Sequence, residues 1–424
     1  MSSLSDWDLV VIGGGAAGFF AAITCADSYP GARVLILEKS ANTLGKVKIS
    51  GGGRCNVTHA CYEPKALAKN YPRGSKALIG PFNRWATSDT VDWFNARGVE
   101  LKTESDGRMF PASNTSKTIV DCLKDAAHHA GVVVKTSTSA ISVNAQQTTD
   151  PPQSLHFTVA TNQGETLRSK SVLLATGGTR LASGARLSES LGHTLIPNVP
   201  SLFAFNIDDQ RLDDLPGVSV ANASVSAPDI KLSADGPLLI THHGLSGPGI
   251  LKLSAWGARP LHALDYQFSI AINWTPDIDV ADTFRQIRSQ HGKRKVCSRA
   301  PFEQFPKRLW KRLCIASEIP DECSWSQLSK DSSNQLIQEL TRGAFKVSGK
   351  SINKDEFVTC GGVKLSDVNM KTLESKITPG LYFAGEVLDI DGITGGFNFQ
   401  NAWTTGYLSG TAIAEGIAAR LHNI

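Results

Sequence analysis

Three glycines, Gly13, Gly15 and Gly18, follow the apolar run WDLVVI (residues 7–12) and open a proline-free stretch of helix formers from Ala16 to Ala26. This order of apolar run, glycine turn and helix former restricts the fold more than any other feature of the chain. A β-branched apolar run closed by glycines predicts a strand buried on both faces of a parallel sheet. Each glycine answers a steric demand: the first permits the turn, the second lets a phosphate reach the backbone, and the third lets the helix lie close on the strand. A second strand is predicted at RVLIL (33–37), with Glu38 at its end. A carboxylate about 20 residues past the last glycine is placed to accept hydrogen bonds from a ribose diol, and it repels a 2′-phosphate. The free amides at the helix start, Ala16 and Ala17 among them, and the positive end of the helix dipole favour a diphosphate.

A second signature of the same kind lies far away in the chain. GLYFAGE (380–386) reads as a buried strand ending in Gly385 and Glu386, and DIDGITGGFNFQNAW (389–403) follows it. Gly395 and Gly396 free the backbone to approach a ligand, and amides near Asn398 open a final helix that runs to about Leu421. Two strand-acid-glycine units suit a long extended dinucleotide, so FAD is favoured over NAD. Placed under the N1/C2=O edge of a flavin, the positive end of the final helix would stabilise the reduced anion. With one complete GxGxxG, no separate NAD(P)H-binding domain is expected.

Between these ends the text changes twice. GVVVKTSTSAISV (131–143), LHFTVAT (155–161) and SVLLATGG (171–178) read as strands, the first two separated by the polar TTDPPQ stretch. From Phe203 to Trp274 short alternating strands with Gly/Pro turns predict a β-barrel or sandwich. Residues 278 to 340 take helical spacing, as in Phe305, Leu309 and Leu313. The expected fold is therefore α/β: a three-layer, Rossmann-like FAD-binding domain with a parallel central sheet, built from residues 1–195 and 357–424. It is interrupted by a β-barrel-like insert (196–277), a small helical segment (278–342) and a return through the β-rich insert (343–356). A chain of 424 residues is long enough for such insertions.

Composition narrows the function classes. Hydrophobic residues at 41% and charged residues at 19% are those of a globular protein. A net charge of +4 is too small to argue by itself for nucleic acid or an acidic membrane. The eight cysteines show no CxxC pair and no zinc-type spacing, so free thiols are expected and no metal site is. No apolar run reaches the roughly 18 residues of a membrane span, and the first strand leaves no room for a secretory segment. The cytoplasm is the default compartment, and no membrane partner is expected. The stretch from Lys293 to Arg312 holds eight Lys/Arg and one acid, Glu303. Phe302, Phe305, Leu309 and Trp310 interleave with it, which favours an amphipathic helix with a solvated basic face over a nucleic-acid patch.

In SGGGRCNVT (50–58) three consecutive glycines precede Arg54, which implies a backbone packed on something flat or anionic. Arg54 is a candidate to neutralise a diphosphate or clamp a substrate carboxylate, and Asn56 to bond a flavin edge. His242 and His243, in THHGLSGP, are candidate proton donors if the insert roofs the flavin, or else turn residues. Asp389 and Asp391 read as loop caps or cofactor-facing acids.

These motifs together resemble the aminoacetone-oxidase-type, BaiN-like NAD(P)/FAD-dependent flavoproteins of the glutathione-reductase-like FAD class. The resemblance runs through GGGAAG (13–18), KISGGGRCNVT (48–58), ATGG (175–178), THHGLSGPGIL (241–251), VTCGGV (358–363), TLESK (372–376) and 381–403. It implies FAD contacts at Ala17, Glu38, Lys46, Gly51, Glu386 and Asn398, and at Ala140 near the adenine. Lys39, Arg54, Cys55, Asn56, Gly177 and Gly385 join Gly13, Gly15, Ala16, Gly18, Gly395 and Gly396 as candidate cofactor residues. Disulfide reductases of the wider class carry a CxxxxC pair at the place of Cys55; here five residues, not four, separate it from Cys61, so a redox dithiol is disfavoured. The expected activity is hydride passage through flavin N5 between NAD(P)H and a small organic substrate, by enone reduction or amine oxidation; either nicotinamide docks transiently at the flavin, or the substrate is the donor and oxygen the acceptor. A flavin-dependent RNA-modifying protein and a non-catalytic flavin sensor are the alternatives.

Overall fold

A computed structural model describes residues 6–147, 155–178, 183–303, 305–351 and 358–422. The TTDPPQ stretch and residues 352–357 lie outside them. The chain divides into two compact units, Met1–Val199 with Val358–Ile424, and Pro200–Phe357.

The first unit is organised by five parallel strands: β1 (Asp6–Ile12), β2 (Val34–Leu37), β3 (Val133–Lys135), β4 (Thr166–Leu174) and β5 (Leu381–Phe383), in the order β5-β4-β1-β2-β3. Successive residues of β1 serve opposite cores. Leu9 and Val11 pack with helix α1 (Ala16–Ser28), while Val10 and Ile12 pack with Phe157, Val172 and Leu388 on the other face. Both faces of the sheet are thus covered, which gives the parallel central layer of the expected three-layer fold. The hairpin Ala140–Gln147 and Leu155–Thr161 extends β4 in antiparallel sense.

The final helix, Phe397–His422, lies against α1 with its own glycines in the seam. A Cβ on Gly406 would stand 2.8 Å from the Ala17 carbonyl oxygen, and one on Gly410 2.5 Å from that of Ala21. Close helix approach therefore requires glycine there, and it packs two helices from opposite ends of the chain against each other.

Two expected elements differ in form. The run 131–143 is broken: β3 ends at Lys135, Ser137 takes φ 52°, and a new strand begins at Ala140. The cause is local, since Ser137 N bonds Ser40 O and Thr138 N bonds Glu38 O, so the chain wraps the end of β2 before it turns back. The strand expected at 171–178 ends at Leu174, leaving 175–178 as a loop.

The second unit contains two antiparallel sheets among the described residues. One has strands 219–220, 238–241, 244–246, 205–206 and 349–350 in that order; the other has 232–235, 224–227, 268–273 and 343–347. Helices Pro248–Trp256 and Ala258–Ala263 interrupt the region read as all strand. Three further helices, α2 (Val280–His291), α3 (Lys307–Ala316) and α4 (Lys330–Arg342), complete it. Leu309, Trp310, Leu313 and Cys314 of α3 are buried while Lys307, Arg308 and Lys311 are exposed, as the amphipathic reading requires. Phe305 lies before the helix and packs on Trp310 instead of starting the stripe.

Candidate active site

The glycine turn after β1 is tied to the end of β2. Gly13 N donates to Leu37 O at 2.9 Å. Gly14 N donates to Glu38 Oε2 and Ser40 N to Glu38 Oε1, each at 2.8 Å. Both carboxylate oxygens are thereby oriented, with lone pairs left to accept ribose hydroxyls. Gly15 caps α1 with no side-chain hydrogen bond, the first turn holds no acid, and a Cβ on Gly15 would meet nothing within 4 Å. An open, amide-lined helix start of this kind is an anion site. Gly18 serves packing: a Cβ there would lie 2.0 Å from Gly13 O. Ala16 and Ala17 carry the first amides of α1, and Lys39 is exposed beside Glu38. Ala140 lies just past Thr138, whose amide holds Glu38 O. Nearby, the Thr176 hydroxyl is buried without a partner among the described residues.

The second half of the site is assembled onto the first. Gly385 N donates to Thr405 Oγ1 at 2.9 Å, and a Cβ on Gly385 would come within 2.9 Å of Ala17 Cβ. Glu386 accepts from Lys46 Nζ at 2.7 Å and from the Thr359 amide at 2.7 Å. Gly177 and Gly178, in the loop after β4, face that same carboxylate. Thr359 and Gly178 escaped the sequence reading. A backbone amide leaves no mark on residue type, and its partner acid is 27 positions away.

The Gly395–Gly396 turn is held from three sides. His59 Nδ1 bonds Gly395 O at 3.0 Å, and its ring stacks on Phe397 with 4.6 Å between centroids. With its amide oriented by its neighbours, Asn56 accepts from Gly396 N and donates to Thr58 O, both at 3.0 Å. Asn398 braces the preceding loop, accepting from Gly392 N and donating to Gly392 O at 2.9 Å each. Asp391, fully buried, forms an ion pair with Arg73. Asp391 is therefore a structural anion of the loop. His59 and Arg73 were not singled out in the sequence, because neither sits in a motif.

Gly51, Gly52 and Gly53 adopt φ values of 57°, 68° and 83°, a left-handed run open only to glycine. Arg54 behind them is engaged, bonding Glu104 Oε1 at 2.6 Å and lying over the Phe110 ring at 4.0 Å. It is thus clamped within the protein and not held free for a diphosphate. Cys55 is a correction as a side-chain contact: its thiol is buried in the core with Val57, so only its backbone reaches the loop. Burial pushes that thiol up to about 12, against a small opposing hydrogen bond from Ser50. Burial and the nearby Glu63 also raise the Cys61 thiol. Neither is a thiolate at neutral pH, and all eight cysteines are free. His242 and His243 form the exposed turn of the 238–241/244–246 hairpin in the second unit, where the His243 carbonyl accepts from Ile207 N.

Two carboxylates tipping parallel strands, the open start of α1 with Ala17 against Gly385, and a basic side chain at Lys46 fit an extended diphosphate dinucleotide. No group of metal-ligating side chains stands among the described residues. The fold and this site define an FAD-dependent oxidoreductase. The chain belongs to the family described as HI0933-like protein Rossmann domain, which it matches over residues 7–412. It is 30% identical over 415 residues to the "Ribosomal RNA dihydrouridine synthase" of Escherichia coli (strain K12), covering 95% of this chain and 97% of that one. It is 28% identical over 421 residues to the "3-dehydro-bile acid delta(4,6)-reductase" of Clostridium scindens, covering 96% and 98%. Among solved structures, an FrdA variant of E. coli quinol fumarate reductase shares the fold with TM-score 0.50 at 13% identity, covering 98% of this chain and 71% of that one. The family resemblance read from the motifs therefore holds. No helix among the described residues is long and apolar enough to cross a membrane.

Proposed function

We propose that this protein saturates a carbon–carbon double bond conjugated to a carbonyl, that NAD(P)H supplies the hydride, and that the substrate is the uracil ring of a structured RNA. Both full-length relatives are named for reactions that fit this chemistry. In uracil the C5=C6 bond is conjugated to the C4 carbonyl, so hydride arrives at C6 and a proton at C5. An enone in a steroid has the same polarity. FAD, when bound, supplies hydride from N5 after taking one from NAD(P)H.

The chain's own residues would hold and orient that cofactor. Amides of residues 14–17 and Lys46 meet the diphosphate, Glu38 takes the ribose and Glu386 the ribityl hydroxyls. Gly395 and Gly396, braced by Asn56 and His59, leave the start of the final helix open toward the flavin edge. Eight free thiols suit a reducing compartment such as the cytoplasm.

The choice of RNA over a small enone is favoured by the name of the 30% identical relative, and on this chain by residues 293–312, where five of eight Lys/Arg have no ion pair among the described residues. The test is anaerobic. Purified protein with bound FAD is mixed with NADH or NADPH and an unmodified ribosomal RNA transcript, and the digested RNA is weighed. Uridines heavier by two hydrogens are the expected product. Bleaching with reduction of a 4-en-3-one steroid and no change in the RNA would assign the small-molecule reaction instead.

A further inference from the structure

Resting on the RNA reading above, we infer that a cleft in the second unit, between α2 and the segment 299–303, docks the phosphodiester backbone of RNA. The cleft has a volume of about 460 Å³. It is lined by Gln286, Gln290 and His291 of α2, by Arg294 and Arg299, and by Phe302. Glu303 also lines it, so two guanidiniums face one carboxylate.

The cations are carried on a rigid frame. Val296 N bonds Cys323 O, Trp325 N bonds Arg294 O and Trp310 Nε1 bonds Val296 O, at 2.9, 3.0 and 2.8 Å. Phe302 packs on Phe284 and Trp310, with ring centroids 6.3 and 6.0 Å apart. Arg294 Nη2 donates to Arg299 O at 3.0 Å, which holds the two basic residues at one edge. Holding donors in place before binding lowers the entropic cost of association.

Charge bookkeeping points the same way. Acids from outside the segment neutralise three of its eight cations, Glu322 at Lys295, Asp321 at Lys311 and Asp214 at Arg312, while Asp282 is engaged by Arg285 and Gln286 of α2. Arg299, Lys293, Lys307 and Arg308 are exposed with no ion pair among the described residues. Positive charge thus extends past the cleft, which a polyanion uses and a single phosphate does not. The side-chain amides of Gln286 and Gln290 both donate and accept, as nucleotide sugar and base edges require. Of the apolar residues that line the cleft, Ile287, Ala300 and Phe302 are buried and only Pro301 is partly exposed, a poor set for insertion into a lipid surface.

The test uses the full-length protein with bound FAD and a fluorescein-labelled 30-nucleotide RNA hairpin, read by anisotropy across a salt series. Arg294→Glu with Arg299→Glu is expected to weaken binding at least tenfold, and the log–log salt slope to fall by about 0.7 per lost phosphate contact. Arg299→Gln alone, on an exposed side chain, is expected to weaken binding roughly threefold, and it carries the test if the double variant misfolds. Lys124→Glu, exposed in the first unit, should bind as wild type, and all variants should keep flavin and its bleaching by NAD(P)H. Variants that bind the hairpin with wild-type affinity and slope, while the wild type still forms dihydrouridine, overturn the cleft alone. A wild type that reduces an enone but neither binds the hairpin nor modifies RNA removes the RNA reading and the cleft together. Tighter binding to phosphatidylserine vesicles than to the hairpin, lost in the double variant, overturns the proposal in favour of a membrane surface.

Discussion

The two units stabilise themselves in different ways. The first unit buries polar side chains and uses them to fix backbone. Thr58 Oγ1 donates to Gln400 Oε1 at 2.6 Å, Gln400 Nε2 donates to Thr90 Oγ1 at 3.0 Å, and Thr404 Oγ1 donates to Trp85 O at 3.0 Å, all inside the core. The second unit fills its core with aromatic and aliphatic side chains, among them Trp274, Trp310, Trp325 and Phe205, and, apart from the cluster of Arg211 with Asp209 and Glu339, has ion pairs toward the surface. A buried polar network costs more to break and tolerates fewer arrangements than apolar packing. The difference therefore separates a unit whose backbone must meet a ligand at fixed points from one whose packed core carries its surface side chains.

That contrast is most sharply tested at Gly396. Its φ is 95°, and a Cβ would lie 2.5 Å from Thr58 O, in the turn that opens the final helix. Gly396→Val is expected to lower the flavin retained after gel filtration more than tenfold, against a backbone strain of about 1–3 kcal/mol. Flavin absorbance per protein at wild-type level would remove that turn from the cofactor site. Next come two core changes of similar cost and opposite character. Asp391→Asn leaves Arg73 facing a neutral amide in a buried place, which costs about 3–5 kcal/mol, and flavin should be lost with it. Trp310→Ala empties a fully buried site in the second unit at about 3–5 kcal/mol, yet folded molecules should keep their flavin. Urea denaturation and flavin absorbance on the same samples check both. Lys46→Met ranks lower: its pair with Glu386 is more than half exposed on the lysine side, so stability should shift by less than about 1 kcal/mol. A weakened flavin affinity in that variant would then report a direct contact with the diphosphate.

The same contrast explains what the sequence made legible. Gly13, Gly15, Gly18, Gly395 and Gly396 stood out because a close approach or a left-handed backbone admits one residue type, and Glu38 and Glu386 because each ends an apolar run. The helical insert was legible through its period, since one side of α3 is buried. The partners of those residues were not. Thr359 meets Glu386 through a backbone amide, Arg73 meets Asp391 across 318 positions, and Arg54 meets Glu104 across 50. Nothing in local composition encodes a pairing made by topology. Helix Pro248–Trp256 was read as strand because Ile250, Leu251 and Leu253 suit either period over so short a span. Its burial settles the matter, with Ile250, Leu253 and Ser254 on the inner face.

Mild acid should separate the two units by pH window. His193, in the first unit, is 4% exposed, with Nδ1 at 3.2 Å from Ser188 O and Nε2 at 2.7 Å from Ser375 Oγ. Burial is the main influence and pulls its pKa below the ordinary imidazole value, while the Ser188 carbonyl and Asp367 oppose it without prevailing. A neutral ring fits the contacts: Nδ1–H donates to Ser188 O, and Nε2 accepts from the Ser375 hydroxyl, whose oxygen already accepts from the amides of Ile377 and Thr378. Because the folded value lies below the unfolded one of about 6.5, the unfolded chain takes up a proton first as pH falls. The stabilisation present above about pH 6.5 is therefore lost progressively from there down to the lowered folded value. Asp209, in the second unit, behaves differently. Burial raises its carboxyl, but the hydrogen bonds and charge of Arg211 outweigh that and hold it below the usual range. Its contribution is complete above the unfolded carboxylate value of about 3.9 and is lost only as pH falls through the lowered folded value. Between pH 7.5 and 5.5, then, the wild-type melting temperature should fall by more than that of His193→Asn, while Arg211→Met should leave the slope in this window unchanged. Equal slopes for wild type and His193→Asn would show that the imidazole is neutral in neither state's favour, and the first unit's acid sensitivity would have to come from its carboxylates.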